Sequence, residues 1–409
     1  MVTGVGVVSA FGRGLTLLAD GLRAGHGALS PPHAATGGPA LGISVVAAIP
    51  CAVPEDPRFR DDRKSVLALM AAADAVAAAG ADADRPPAGP AGVWLGTGLS
   101  SVTPHELAED AYPHLRDGRL HGPAMTADVA PNRVAPNRHH AWRAARAVAA
   151  QHGIRGPVET SFSACAAGAQ AIASGMRSIR RGEVTWALCG GHDAMIHPLG
   201  MLSFVVLGAL SETTCRPFDR RRDGFTIGEG AAVLLLEDEA AARARGARIL
   251  ARVLGAGTSV DAYRVTAPHP EGRGAALSMR RALKDAGLDA GAIDHINAHG
   301  TGTPVGDVAE ARAVAEVLGD RAQAVPVSSI KGALGHCIAA AGAVEAAACV
   351  AGLHQGWSPG TAGLGDPDAL PIAARAAPAE DRPGVILSNS FGFGGQNCSL
   401  LLGAAELAR

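Results

Sequence analysis

Aromatic side chains are scarce: Phe, Trp and Tyr make up 3% of the 409 residues. Base-stacking platforms for nucleic acid need such rings. The net charge of -2, from 36 basic and 38 acidic residues, also lacks the positive excess of a nucleic-acid binder. Nucleic acid is therefore not an expected partner. Long apolar runs are missing too. None approaches the ~18 residues of a membrane span, and the longest, 199–210 and 343–353, are interrupted by Gly or charge. No membrane association is expected. The opening MVTGVGVVSAFG has no basic segment before its apolar stretch, so it does not read as a signal peptide. The seven cysteines are odd in number and form no CxxC pair, which fits a reduced, cytoplasmic protein better than a disulfide framework. Only Lys64, Lys284 and Lys331 are lysines, so a lysine inside a Gly-rich motif stands out.

Apolar residues are plentiful, at 48% against 18% charged, which excludes disorder. The length suits two or three domain-sized units of roughly 150 residues. Short apolar runs at 2–9, 92–96, 185–189 and 232–236 read as strands, the last three as in a sheet covered on both faces. Segments 65–79, 166–181 and 307–318 have helical spacing. A second series follows: strand 249–257, helix 274–286, strand 295–298, helix 339–353 and strand 385–388. This alternation predicts an α/β architecture in two parts of similar grammar, 1–240 and 241–409. Stretches 84–90 and 126–140, the latter with APNR twice, read as loops.

Four segments carry candidate chemistry. In ETSFSACAAGAQ, Cys165 sits where a β-like run turns into an Ala/Gly-rich helix. The positive end of a helix favours thiolate and offers free N–H groups; the plain alternative is a buried structural cysteine. In INAHGTGTPVGDVAE, a strand delivers His299 into a Gly/Thr loop ahead of Asp307 and Glu310. A helix-capping turn with a satisfied histidine is the competing reading. In SSIKGALGHCIAAAGAVEA, Lys331, His336 and Glu345 lie among small residues. A lone buried charge is costly, so Lys331 must be paired or reach solvent. In SNSFGFGGQN, Phe393 stands between two glycines whose backbone can approach a ligand closely; a plain Gly-rich turn reads equally well. One Cys and two His also suggest zinc, but no short-spaced ligand pair exists, and no metal is expected. GVGVVSAFG lacks the third glycine and the acid of a dinucleotide site.

The Cys in its small-residue elbow, HGTGTPxGDxxE, IKGxLGHxxAAAGxxE and NSFGFGGxN, in this order, together resemble the β-ketoacyl-ACP synthases, of the elongating Cys-His-His type of type II fatty-acid and polyketide systems. RPFDRRRDGFTIGEGAAVLLLED strengthens the likeness, which runs over nearly the whole chain. Cys-His-Asn relatives should carry Asn where His336 stands. The resemblance implies the thiolase fold, two similar α/β halves packed as αβαβα layers, and a dimer. It implies that Cys165 accepts an acyl chain from acyl carrier protein, that His299 and His336 assist decarboxylation of malonyl-ACP, and that the chain grows by two carbons. No cofactor is expected to be bound tightly; phosphopantetheine arrives on the carrier.

By the same resemblance, Lys331 orients the histidines, paired with a carboxylate such as Glu310, with Asp307 and Glu345 weaker candidates. Backbone N–H groups of Cys165 and Phe393 form the oxyanion site, and Phe393 is also the gate to the acyl pocket. Thr301, Thr303 and Thr266 hold the phosphopantetheine arm, and Phe204 and Leu99 line the pocket. Met195, Leu199 and Met201 suit a pocket but read better as core. Arg63 and Lys64 fall on the helix start that docks the acidic carrier, with Arg216, Arg220, Arg221 and Arg222 as further candidates. Gly208 replaces a frequent Arg of that surface. Segment 100–156 departs most from the family, which leaves open an identical partner or a chain-length-factor-like one and tips the reading towards a polyketide system. Two rivals remain: a transacylating or thiolase-type relative without decarboxylation, and a structural chain-length factor, which should lack Cys165.

Overall fold

A computed structural model of the chain describes residues 1–33, 38–59, 62–81, 87–98, 112–123 and 140–407. The first series runs β1 (Val2–Ser9), α1 (Arg63–Ala78), β2 (Ala91–Thr97), α2 (Arg143–Gln151), β3 (Val158–Ser161), α3 (Ala167–Arg180), β4 (Trp186–Ala194), α4 (Pro198–Val206) and β5 (Glu229–Glu237). The second runs β6 (Ala251–Val260), α5 (Arg273–Ala286), β7 (His295–Asn297), α6 (Pro304–Leu318), β8 (Pro326–Ser328), α7 (Ala341–Gln355), β9 (Val385–Gly392) and β10 (Gln396–Ala404).

Hydrogen bonding orders the first series β1-β5-β4-β2-β3 and the second β6-β10-β9-β7-β8. The two orders are the same, and so are the senses. The first two pairings in each are antiparallel and the last two parallel. The series join through one antiparallel pair, Val2 with Ala251. Helices α1 and α2 cover the outer face of the first series, and α5 that of the second, with α6 packed on α5. Helices α3 and α7 lie between and touch strands of both series. The layers are αβαβα, the thiolase fold.

A helix held between two sheets must be slim. At Gly168 of α3 a Cβ would come within 2.9 Å of the Ala339 carbonyl oxygen, and at Gly342 of α7 within 2.9 Å of the Ala169 Cβ. Only glycine permits these approaches. Residues Ile338–Gln355, with mean hydropathy 1.3, are long and apolar enough to cross a membrane, but they are 89% buried in this central layer.

Both central helices are entered through the same turn. Ala164 (φ 48°) opens the 3-10 turn Ala164–Ala166 before α3, and Ile338 (φ 48°) opens Ile338–Ala340 before α7. Left-handed backbone is uncommon without glycine, and more so for β-branched isoleucine. The two turns touch one another. The loop expected at 126–140, with both APNR copies, lies outside the described residues apart from His140.

Candidate active site

Cys165 occupies the middle of the first turn, where edge strand β3 hands over to α3, and it is buried. Burial pushes its thiol up to about 12; the Lys331 cation and a hydrogen bond from the Phe393 N–H act in the opposite direction. The thiolate expected from the helix start is thus outweighed, because desolvation of the charge exceeds the favourable terms. The resting sulfur is a thiol, and its Sγ lies 3.1 Å from His336 Nε2.

His299 stands just beyond the carboxyl end of parallel strand β7, where open α/β sheets place their sites. Its ring meets that of His336 edge-on, centroids 5.4 Å apart. Burial and the Lys331 charge hold both imidazoles well below their ordinary value, and His336 adds to the shift at His299. Both are therefore neutral near pH 7. The Nδ1 atoms of both rings lack partners among the described residues. The donor atoms of Cys165, His299 and His336 all lie within 4.8 Å of one another. Their wide spacing in sequence, used above against a metal, is thus no argument once the chain is folded.

The peptide of His299 is gripped at both ends. Its N–H donates to Glu310 Oε1 at 2.8 Å, and the Gly300 N–H donates to Oε2 at 2.7 Å. Its carbonyl accepts from Lys331 Nζ at 2.5 Å. The carboxylate paired with Lys331 is Glu345, not Glu310. The expected Lys331–Glu310 pair is corrected accordingly: the two residues hold opposite ends of one peptide. Lys331 and Glu345 are 1% and 2% exposed, which satisfies the demand that a buried lysine be paired. Burial raises Glu310 to about 7 and Asp307 to about 6. Asp307 accepts from the N–H groups of Phe218 and Gly302, fixing the loop that carries Thr301. Asn389 on β9, which the sequence reading missed, donates to Glu310 at 3.2 Å.

A cavity of about 300 Å³ opens over these groups, lined by Cys165, His299, His336, Thr301, Thr303, Thr266, Phe204 and Phe393 among others. The Thr301 and Thr303 hydroxyls bond each other at 3.0 Å. A Cβ on Gly392 would lie 3.1 Å from the Cys165 nitrogen, so the Phe393 turn closes onto the backbone of Cys165. Phe204 is buried edge-on against Phe225, itself edge-on to His336, an aromatic chain not anticipated from sequence. Met195 and Met201 join the apolar cluster around Cys165, whereas Leu199 is 37% exposed. Leu99 lies outside the described residues. A larger cavity, about 610 Å³, sits near Arg180, Arg252 and Asp285 and contains none of these groups.

The expected docking cations fare differently. Lys64 is 6% exposed, with Nζ 3.4 Å from the Gly98 carbonyl oxygen, so it is turned inward and not offered to a partner. Arg63 is bonded to Glu229, Arg221 to Asp219, and Arg222 to Asp368. Arg220 lies 3.6 Å from Asp366.

Comparison with known proteins bears on this geometry. The chain matches the family described as "Beta-ketoacyl synthase, N-terminal domain" over residues 56–242 and its "C-terminal domain" over 250–364. It is 40% identical over 321 residues to the 3-oxoacyl-[acyl-carrier-protein] synthase 2 of Mycobacterium tuberculosis, covering 76% of this chain and 74% of that one. Among solved structures, the ishigamide ketosynthase/chain length factor superimposes with a TM-score of 0.86 at 33% identity, over 98% of both chains. A type II polyketide acyl-carrier protein in complex with its ketosynthase bound to the hexaketide gives 0.85 at 27% identity, covering 99% of this chain and 98% of that one.

Proposed function

The chain belongs to the β-ketoacyl synthase family, and from that premise we propose how its residues share the reaction. The enzyme is an acyltransferase that condenses malonyl-ACP with an acyl chain held on Cys165, with loss of carbon dioxide. In the first step the Cys165 sulfur attacks the thioester carbonyl of acyl-ACP. The Sγ–C bond forms, the carbon–sulfur bond to phosphopantetheine breaks, and the thiol proton passes by way of His336 to the departing sulfur. Thiolates attack and leave well, so the acyl group stays transferable. Oxygen charge in the tetrahedral state falls to the N–H groups of Cys165 and Phe393.

Malonyl-ACP then enters. Its carbon–carboxylate bond breaks, and the electron pair moves to an enolate oxygen that the neutral imidazoles of His299 and His336 stabilise by donating N–H. The enolate carbon attacks the acyl-Cys165 carbonyl, the carbon–Sγ bond breaks, and Cys165 leaves as a thiolate that takes up one proton from solvent, by way of His336, to restore the thiol. The product is 3-ketoacyl-ACP, two carbons longer. Lys331, Glu310 and Glu345 act as positioning residues through the His299 peptide. On this reading, residues 1–240 supply the nucleophile and 241–409 both imidazoles. Thr301, Thr303 and Thr266 steady the phosphopantetheine arm, which comes with the carrier, and Phe204 borders the acyl pocket. The protein works in the cytoplasm as a dimer, and likeness to a ketosynthase/chain length factor favours a polyketide role as its active member.

The 3.1 Å contact between Cys165 Sγ and His336 Nε2, beside a second neutral imidazole, carries this reading. Intact-mass analysis after exposure to acyl-ACPs, then malonyl-ACP, tests it. One acyl adduct on wild type, none on Cys165→Ala, and discharge as 3-ketoacyl-ACP is the expected result. An adduct that malonyl-ACP never discharges would move the protein to the transacylating reading.

A further inference from the structure

The reaction uses Cys165, His299 and His336 as a nucleophile and two hydrogen-bond donors. The same three groups also form a ligand set. One sulfur and two imidazole nitrogens lie within 4.8 Å of one another, and no other three such groups converge among the described residues. Zinc held by three protein ligands, with its remaining position open, is a common tetrahedral arrangement, its donors about 3.3–3.6 Å apart at Zn–S of about 2.3 Å and Zn–N of about 2.0 Å. Cys165 Sγ and His336 Nε2 already stand 3.1 Å apart. The cavity over the three groups leaves the fourth position to water. Thiol and imidazole donors select Zn²⁺ over the hard ions Mg²⁺ and Ca²⁺.

Two features argue against a resident cofactor. His336 Nδ1, the nitrogen turned away from the sulfur, has no partner among the described residues, whereas built zinc sites brace that nitrogen with a carboxylate or carbonyl. The Lys331 cation acts on all three groups and repels a metal ion, although its pairing with Glu345 tempers this. We propose that Zn²⁺ is a reversible inhibitor of this protein, bound by Cys165, His299 and His336 in place of substrate. The Cys165 S–H bond breaks, an S–Zn bond forms, and the proton goes to solvent; chelation reverses the step. An acyl group on Sγ removes the sulfur donor, so acylation and zinc exclude each other. The inhibition rests on the reading that Cys165 is acylated; the coordination does not.

Binding and inhibition are measured separately on the full, reduced protein. Co²⁺ stands in for Zn²⁺ as the visible probe. The expected result is a single ion per chain, with the strong visible bands of a four-coordinate ion and a sulfur-to-cobalt charge-transfer band, displaced by Zn²⁺. Cys165→Ser should abolish the charge-transfer band, and His336→Asn should weaken binding at least about tenfold, with circular dichroism confirming that each variant is folded. On wild type, where folding is not in question, Zn²⁺ should slow alkylation of Cys165 by iodoacetamide at least about tenfold, and Mg²⁺ should leave it unchanged. Zn²⁺ should likewise slow loading of Cys165 from acyl-ACP, and EDTA should restore it. Preformed acyl-Cys165 should discharge to malonyl-ACP at close to its zinc-free rate. A six-coordinate cobalt spectrum, a charge-transfer band kept by Cys165→Ser, or alkylation indifferent to Zn²⁺ would overturn the site. Equal slowing of loading and discharge would overturn inhibition through the sulfur. A protein that binds Co²⁺ through Cys165 yet is acylated by no acyl-ACP would sink the acyl-transfer reading and leave the metal site standing.

Discussion

At the scale of single residues, the site combines a thiol and two imidazoles that burial keeps uncharged. Cys165 is pushed up to about 12 and the histidines lie well below their ordinary value. Proton transfer within a neutral Cys–His pair does not depend on bulk pH where neither partner titrates. Acylation of Cys165 should therefore be flat from about pH 7 to about pH 10, with no inflection at the ordinary thiol value. Stopped-time mass measurement across that range checks this, and a rise centred near pH 9 would contradict it. Lys331 gives a second expectation. Lys331→Met strands the Glu345 charge in the core and should cost about 3–5 kcal/mol in chemical denaturation. Adding Glu345→Leu should recover part of the stability, but not the hold on the His299 carbonyl, so activity should stay low. Sequence reading found Lys331 and demanded a partner for it. It named Glu310 first because nothing in the chain tells which of two buried carboxylates a lysine 14 or 21 residues away will reach.

At the scale of elements, the fit of α3 against α7 sets the position of Cys165. Gly168→Val would drive a side chain into the Ala339 carbonyl, 2.9 Å from a Cβ. Overpacking of this sort should cost about 1–3 kcal/mol and slow acylation by shifting the turn that carries the thiol. Thermal melts paired with acylation rates would show both effects, and loss of either alone would separate packing from positioning. Much at this scale was legible. Val2–Ser9 is read from its apolar run alone, and α3 to within a residue at each end. Strand β3 was noticed only as a β-like run before Cys165, since its four residues are half-exposed and carry no clean alternation. Helix α4 went unread as a helix because an apolar stretch with two inviting faces shows no period.

At the scale of the molecule, both series share one central layer, so neither can open without exposing α3 and α7. Denaturation should follow a single transition. The buried thiols set its pH dependence. Cys165, Cys215, Cys337 and Cys398 are each raised to about 12 by burial. The folded state keeps protons that the unfolded chain releases near pH 9, so stability is full below that value and lost as pH rises from about 9 towards 12. Denaturation midpoints measured from pH 8 to pH 11 should fall accordingly. The duplication suspected from the grammar of the sequence is plain in the repeated strand order, although the two series need not look alike residue by residue. It also furnishes an internal comparison. In the second turn, the residue matching Cys165 is Ala339, whose N–H donates to a carboxyl oxygen of Asp193 at 3.2 Å. The same mould is thus cast twice and filled once by the protein's own oxygen. On the proposed reading, its twin at Cys165 takes the oxygen of the passing substrate instead.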